Sequence, residues 1–313
     1  MKRLFAANAR QLGTLAVLVV LGAVITVLTP YFLTISNLLN VAQQTVINAI
    51  VAVGMTFVII SAGIDLSVGS ILAVSGVVLA TAIKSGVPIP LAILGGLGVG
   101  IVCGVVNGLL ITFGRLPPFI ATLGMMSMAR GAALLTTQGR PVTGFSPGFR
   151  WIANGEVLDV PASVFLMLIV YVGAHFVLRR TKFGRYIFAI GGNEEAALLS
   201  GVPVRVYKIA IYAVAGLLAA VSGVVLTARL NSAQPIAGIN YELDAIAATV
   251  IGGTSLMGGE GSVLGTLIGA LIMGVLRNGL NLLGVSAFIQ QVVIGAVIIC
   301  AVLLDTVFRR RRR

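Results

Sequence analysis

Ten apolar segments run through the chain, and they restrict it to one class of fold. Inside a bilayer, only structures that satisfy every backbone polar group are stable, and a spanning helix needs roughly 20 mainly apolar residues. Only 10% of the residues are charged, against about 25% in a soluble domain. We therefore predict an all-α integral membrane protein with about ten transmembrane helices. The segments are 12–28, 41–60, 66–83, 90–113, 119–136, 161–178, 207–228, 243–257, 263–283 and 287–307.

Two joints between these segments are unusually short. The gaps at residues 61–65 and 258–262 leave little room for a loop, and the eighth segment is itself short. We interpret these joints as short or broken helices at membrane depth, and ordinary tight loops are the alternative.

Two short sequence echoes indicate a possible five-plus-five inverted repeat. In the first echo, residues 107–109 and 119–120 recur as residues 278–280 and 288–289. The repeated residues lie five crossings apart, so their helices run in opposite directions, as in many transporters. The second echo, of residues 48–50 in residues 244–246, relates helices of the same direction and implies a different symmetry.

Basic residues mark the cytoplasmic side. The net charge is +12, but the lysines and arginines lie at the ends of apolar segments and in a terminal run at 309–313. This placement suits anionic lipid headgroups and argues against a nucleic-acid partner. An even number of crossings with both termini in the cytoplasm puts most of the 21 basic residues inside. The exceptions outside are Lys84, Arg140, Arg150 and Arg229.

The polar stretch 179–208 carries six of the basic residues and divides the chain into halves, 1–178 and 207–313, of a single membrane domain. Within it we predict a helix of about two turns, which Asn193 caps and Gly201 stops. A helix this short is unstable alone, so it packs on the base of this protein or on a partner. The alternative is an ordinary loop between helices.

The sequence contains no catalytic, metal-binding or cofactor-binding constellation. No lysine follows the glycines of a phosphate-binding loop, so a nucleotidase that drives this protein would be another chain. The single histidine, His175, is expected at the inner end of the sixth segment. Cys103 and Cys300 lie in apolar runs and are expected to be small buried residues.

Polar residues within the apolar segments indicate a translocation path. Asp65 either caps the third helix or lines that path, and the two roles are compatible. The neutral amides suit a neutral polyhydroxylated solute, or they join helices by hydrogen bonds. We expect Arg130 and Arg277 to reach towards the headgroups. The residues that we assign to the path are Asn48, Asp65, Asn107, Phe119 and Asn278.

Two outer loops are polar and rich in turn residues. They cover residues 138–160 and 229–242. Such loops offer a docking surface for an external partner, or they only link helices.

Four motifs give the chain a family resemblance. They are GIDLSVGS at 63–70, FIATLGMMSMARG at 119–131, GRYIFAIGGNEEAALLSGV at 184–202, and the run from Tyr241 to Ile272. Together they resemble the permease subunit of ribose-type ABC importers, in the sugar branch of the branched-chain amino acid/ribose permease family.

The resemblance implies a dimer of permeases in a bacterial inner membrane. It also implies a cytoplasmic ATP-binding cassette protein and a periplasmic sugar-binding protein as partners. The segment 192–201 resembles the family's coupling segment, which sits in a cleft of the ATPase. The residues carried over are Gly192, Asn193, Glu194, Glu195, Ala196, Leu199 and Gly201.

The sequence thus predicts the membrane subunit of an ATP-driven monosaccharide importer, with ribose as the first candidate solute and no enzymatic activity of its own. Xylose, galactose, a nucleoside or a signalling furanose are alternatives. A secondary transporter would need a buried carboxylate relay, for which Asp65 and Asp244 are the candidates. A lipid-modifying enzyme would need clustered histidines or carboxylates at one interface, which the sequence lacks.

Overall fold

The computed structural model describes the backbone of residues 2–310 and the side chains of residues 12–303. This part of the chain is helical, with four two-residue strands in its loops. The helices are α1 (Lys2–Leu28), α2 (Ile35–Ile60), α3 (Val68–Lys84), α4 (Ile89–Thr112), α5 (Pro118–Thr137), α6 (Pro147–Asn154), α7 (Ala162–Arg180), α8 (Lys182–Gly192), α9 (Glu194–Leu199), α10 (Val204–Leu230), α11 (Tyr241–Ile251), α12 (Val263–Leu282) and α13 (Ala287–Arg310). The strands are β1 (Val142–Thr143), β2 (Glu156–Val157), β3 (Val160–Pro161) and β4 (Ser232–Ala233).

Each of the ten predicted segments coincides with one helix, which confirms the all-α membrane fold. Within residues 12–303, six helices are long and apolar enough to span a membrane, and α1, α3 and α13 contribute shorter apolar stretches. The six are α2, α4, α5, α7, α10 and α12. Helix α11 has only 11 residues. It rises about 16 Å, roughly half of a bilayer's hydrocarbon core. The side chains of the predicted lipid-binding run at 309–313 lie outside the described residues.

Helix α10 lies at the centre of the molecule and packs closely against α4 through glycines. A Cβ at Gly100 would overlap the Gly216 carbonyl and lie 2.5 Å from Ala220 Cβ. A Cβ at Gly104 would overlap the backbone at Tyr212 in the same way. Small residues let these helix backbones approach closely, as is common inside membranes.

The helices pack in a similar pattern in the two halves of the chain. Helices α3 and α4 pack on each other and on α10, while α11 and α12 pack on each other and on α2. Helices α2 and α10, which run in opposite directions, also contact each other. Helix α2 comes from the first half of the chain but packs on α11 and α12 of the second half. Helix α10 comes from the second half but packs on α3 and α4 of the first. The first residues of the second echo are in contact, since Asn48 Nδ2 donates a hydrogen bond to Asp244 Oδ2 at 3.2 Å.

The break at residues 61–67 is shielded by protein. Ser61 and Asp65 are buried. Thr122 Oγ1 of α5 accepts a hydrogen bond from Leu66 N at 3.2 Å, while its own proton is donated to Pro118 O at 2.9 Å. The freed N–H of Leu66 therefore finds a partner within the protein, as a break at membrane depth requires.

A second predicted break, around residues 258–262, belongs to a longer non-helical segment between α11 and α12. Gly259 N donates to Ile60 O at 2.8 Å, which joins this segment to the end of α2. Ser255 N donates to Glu260 O at 3.0 Å, so the segment also closes on itself. Both short joints are thus non-helical and bound to the rest of the protein by backbone contacts, with Ala62, Met257 and Glu260 exposed at their surface.

A third break, at residues 231–240, was expected to be an outer loop. Part of it instead descends along α3, where Gly238 meets Gly69 near the start of that helix. Arg130 Nη1 donates to the carbonyls of Pro235 and Ala237, both at 2.7 Å. The expectation that Arg130 reaches the headgroups is therefore wrong, because its guanidinium binds the descending backbone.

The α4–α10 contact gives a matched test of packing. We expect Gly100→Ala to lower the stability of the detergent-solubilised protein by about 1–3 kcal/mol, because the new methyl group overlaps α10. Gly95→Ala on the same helix meets no atom within 4 Å, so it is expected to be neutral or stabilising by up to about 1 kcal/mol. Thermal melting of the two variants measures the difference, and equal melting temperatures would contradict the close packing.

Candidate functional site

The predicted short helix in the polar stretch is present as α9. Asn193 Oδ1 accepts a hydrogen bond from Ala196 N at 2.9 Å, which caps the first turn. Gly201 has φ +81°, so it ends the helix in the left-handed region. Glu194 lies in the first turn and pairs with Lys208 of α10 at 2.6 Å. The cap, the stop and the ion pair fix the orientation of α9 relative to α10.

One face of α9 packs on this protein and the other is exposed. Ala197 is buried in a small apolar cluster with Ile190 and Val204. Leu198 and Leu199 are 59% and 83% exposed. The first alternative, packing on this protein, is therefore confirmed for the inner face, while the two leucines of the other face are exposed.

Helix α8, which precedes α9, was missed by the sequence analysis. Thr181 Oγ1 accepts from Gly184 N at 3.3 Å and caps its start. The apolar spacing of Phe183, Ile187 and Ile190 was the signal that could have revealed it. The Phe183 ring lies 6.3 Å from that of Phe57 on α2, so α8 is anchored to a spanning helix.

The joint between α8 and α9 contacts two of the three breaks. A Cβ at Gly191 would overlap the Ile60 carbonyl oxygen and lie 2.7 Å from Gly259 N. Gly191 O also lies close to Gly258, which itself contacts Ala62. The end of α2, the segment after α11 and the approach to α9 therefore meet at backbone distance. We call this contact of Gly191, Ile60 and Gly259 the three-segment joint.

Asp65 and Asn107 form a buried polar cluster around Ser67. Asp65 Oδ1 accepts from Ser67 N at 2.9 Å and from Ser67 Oγ at 2.5 Å. Asn107 Nδ2 donates to Ser67 Oγ at 2.9 Å. All three residues have no measurable exposure. Asp65 therefore does not cap α3 directly: Ser67 occupies the N-cap position, no side chain caps the first turn, and Asp65 binds the backbone and hydroxyl of Ser67 just before the helix.

Asn48 belongs to a second polar cluster, which contains a charged pair. Arg277 Nη2 on α12 and Asn48 Nδ2 on α2 both donate to Asp244 Oδ2 on α11, at 2.7 Å and 3.2 Å. Asp244 is 3% exposed, whereas the Arg277 side chain is 40% exposed. The expectation that Arg277 reaches the headgroups is wrong, since its guanidinium pairs with Asp244.

The remaining two path residues lie elsewhere. Asn278 exchanges side-chain hydrogen bonds with Asn37, at 2.9 Å and 3.0 Å, so it joins α12 to α2. Phe119 is about half exposed on α5. The five predicted path residues are therefore spread over four places in this protomer.

The two polar outer loops are joined to each other. Strands β1 and β4 pair antiparallel, and Asn231 Oδ1 accepts from Phe145 N at 2.8 Å. Lys84 Nζ donates to Gly144 O at 2.7 Å, which ties the end of α3 to the same surface. Trp151 on α6 is exposed beside them.

No cluster of metal-binding side chains is present among the described residues. Both cysteines are free, but Cys103 is only partly buried and Cys300 is exposed. The expectation that both are buried is therefore wrong for this protomer. The apolar runs around them cover the outer surfaces of helices as well as their packed faces.

Comparison with known proteins agrees with these features. A family model described as "Branched-chain amino acid transport system / permease component" matches residues 37–302. The ribose import permease protein RbsC of Escherichia coli is 51% identical over 296 residues, covering 93% of this chain and 92% of that protein. The protein of the same name from Bacillus subtilis is 52% identical over 298 residues, covering 95% and 92%. The D-allose transport system permease protein AlsC of Escherichia coli is 41% identical over 295 residues, covering 94% and 90%. No solved structure matches.

Adjacent glycines test the three-segment joint. Gly191→Ala places a methyl group on the Ile60 carbonyl, whereas a Cβ at Gly192 meets no atom within 4 Å. We expect Gly191→Ala to raise amide hydrogen exchange at Gly259 at least about tenfold, because the bond to Ile60 is strained. Gly192→Ala is expected to leave that exchange unchanged. Equal exchange in both variants would show that the joint is not closed in solution.

Proposed function

This chain belongs to the family of branched-chain amino acid transport system permease components, and we propose that it is the membrane-spanning subunit of an ATP-driven ribose importer. The observation that carries the proposal is its identity of 51% and 52%, over nearly the whole chain, to the ribose import permeases of two bacteria. The D-allose permease is less similar, at 41%. We therefore rank ribose above allose, xylose, galactose, nucleosides and signalling furanoses as the transported solute.

The energy for import comes from another chain. The sequence lacks a phosphate-binding loop, and the exposed leucines of α9 suit a cleft in a cytoplasmic ATP-binding cassette protein. ATP binding and hydrolysis there move α9, and the three-segment joint passes the motion to the breaks beside α2 and α11. The permease itself is not an enzyme, because it only shifts between two states whose populations its partners set.

The partners on the other surfaces follow from what those surfaces expose. A periplasmic sugar-binding protein docks on the joined outer loops, and both termini of the permease lie in the cytoplasm of a bacterial inner membrane. A second copy packs on this one to complete a homodimer. Apolar side chains on α5 and α13, including Met128 and Phe288, are exposed in the single protomer and contact that copy or lipid.

Reconstitution tests the function. The permease, the ATP-binding cassette protein and the periplasmic binding protein are placed in liposomes, and uptake of labelled ribose is measured. We expect uptake that requires ATP and survives collapse of the proton gradient. Uptake without ATP would favour an ion-coupled secondary transporter. ATP-dependent uptake of another sugar, with ribose excluded, would keep the importer and replace the solute.

Matched leucines test the role of α9. Leu199→Glu is expected to weaken binding of the ATP-binding cassette protein at least about tenfold. The reason is that it places a charge where the complex would bury the apolar Leu199 side chain. Leu158→Glu is the control, since Leu158 is 87% exposed at the β2–β3 turn, between the outer ends of α6 and α7. Binding is measured by co-purification without the periplasmic protein. Loss in both variants, or in neither, would contradict the assignment.

A further inference from the structure

Three side chains from three helices meet midway along α2. Asn48 lies near the middle of the 26 residues of that helix. Asp244 comes from the first turn of α11, and Arg277 comes from the second half of α12. The hydrogen bonds of 3.2 Å and 2.7 Å to the same carboxylate oxygen hold the cluster together.

One side of this cluster is open in the single protomer. A charged side chain at the centre of a membrane helix costs about 2.5–3.5 kcal/mol on insertion scales, and such residues usually face a cavity or a polar partner. Arg277 is paired, yet its side chain remains 40% exposed. The Asp65 cluster, by contrast, is closed on every side. The cluster at Arg277 is therefore the one that can border an aqueous path.

The hydrogen-bonding groups of the cluster that have no partner indicate which kind of ligand it would bind. A guanidinium has five N–H donors, and among the described side chains the Arg277 guanidinium donates only to Asp244. Asn48 Oδ1 is shielded from solvent and accepts no hydrogen bond. Spare donors beside a spare acceptor suit neighbouring hydroxyl groups, since each hydroxyl both donates and accepts.

The charges of the cluster favour a neutral ligand. Asp244 and Arg277 cancel each other, so a bound cation would be repelled by the guanidinium and a bound anion by the carboxylate. Tyr241, one turn before Asp244 on α11, adds an aromatic ring with a hydroxyl to the same side of that helix. An aromatic ring, an amide and a charged pair together suit a sugar with vicinal hydroxyls.

We propose that Asn48, Asp244 and Arg277 form a contact site for the sugar midway through the membrane. This inference rests on the proposed importer function and adds the residues that meet its solute inside the permease. Helix α11 lies between two non-helical segments, 231–240 and 252–262. It therefore moves as a short unit when the three-segment joint shifts, and that motion opens Asn48 to the passing sugar.

The test compares sugar delivered with ATP hydrolysed in the reconstituted complex. Arg277→Lys keeps the positive charge beside Asp244 but removes most of the guanidinium N–H groups that do not already bind Asp244. We expect ribose delivered per ATP to fall about tenfold, the effect of losing a hydrogen bond to a charged group. Thr266→Val is the control on the same helix pair, since it removes the 2.7 Å hydroxyl contact between Thr266 and Thr56 without touching the site. Its ratio is expected to stay within about twofold of wild type.

The outcomes separate the site from the function. If wild type imports ribose and Arg277→Lys delivers as much sugar per ATP, the contact site is wrong. A structural defect would lower uptake and hydrolysis together and leave their ratio unchanged, which also overturns it. If wild type imports no ribose, the proposed function fails instead.

Chemical labelling tests the aqueous path directly. In a background with Cys103 and Cys300 replaced by serine, Asn48→Cys is expected to react with a membrane-impermeant thiol reagent during ATP turnover. Thr266→Cys, at a fully buried position of the same helix pair, is expected to stay unmodified. Excess ribose with its binding protein slows the reaction at position 48. An unreactive thiol at position 48 throughout turnover would exclude the path.

Discussion

The structure depends on one constraint: where a helix breaks at membrane depth, its free backbone groups must find partners inside the protein. The helices are interrupted at residues 61–67, 231–240 and 252–262, and each non-helical segment has a different hydrogen-bond partner. Thr122 of α5 accepts a bond from the first segment, and Arg130 of α5 donates to the second. The third segment donates a backbone hydrogen bond to the end of α2. Helices α3 and α11 are short because these breaks precede or follow them.

Two of these breaks also contact the segment that leads to α9. Gly191 is pressed against the Ile60 carbonyl with no room for a side chain, and Gly259 donates to that carbonyl. Contact between backbones transmits a displacement with little loss, because neither side has a flexible side chain to absorb it. The α8–α9 segment is thus joined by backbone contact to the end of α2 and to the segment between α11 and α12.

Two polar clusters inside the protein differ in what they leave free. Around Ser67 the side chains are fully enclosed next to the start of α3, and Asp65 Oδ2 and Asn107 Oδ1 accept no hydrogen bond there. Around Asp244 the charges cancel, but the guanidinium retains an open side and unused donors. The two clusters differ in burial and not in chemistry, since both contain a carboxylate and an amide. The sequence presents both as isolated polar residues in apolar runs.

The sequence by itself determined the class of fold, the ten helices, the capped α9 and the family. These follow from local patterns: apolar length, an Asn cap with a Gly stop, and motifs that each lie within one stretch of chain. The tertiary structure alone decided that Arg130 and Arg277 bind inside the protein, that 231–240 descends along α3, and that Asn278 pairs with Asn37 away from Asn48. Each of these depends on residues far apart in sequence being brought into contact. A side chain's role in a membrane is set by the helix beside it, which no local pattern specifies.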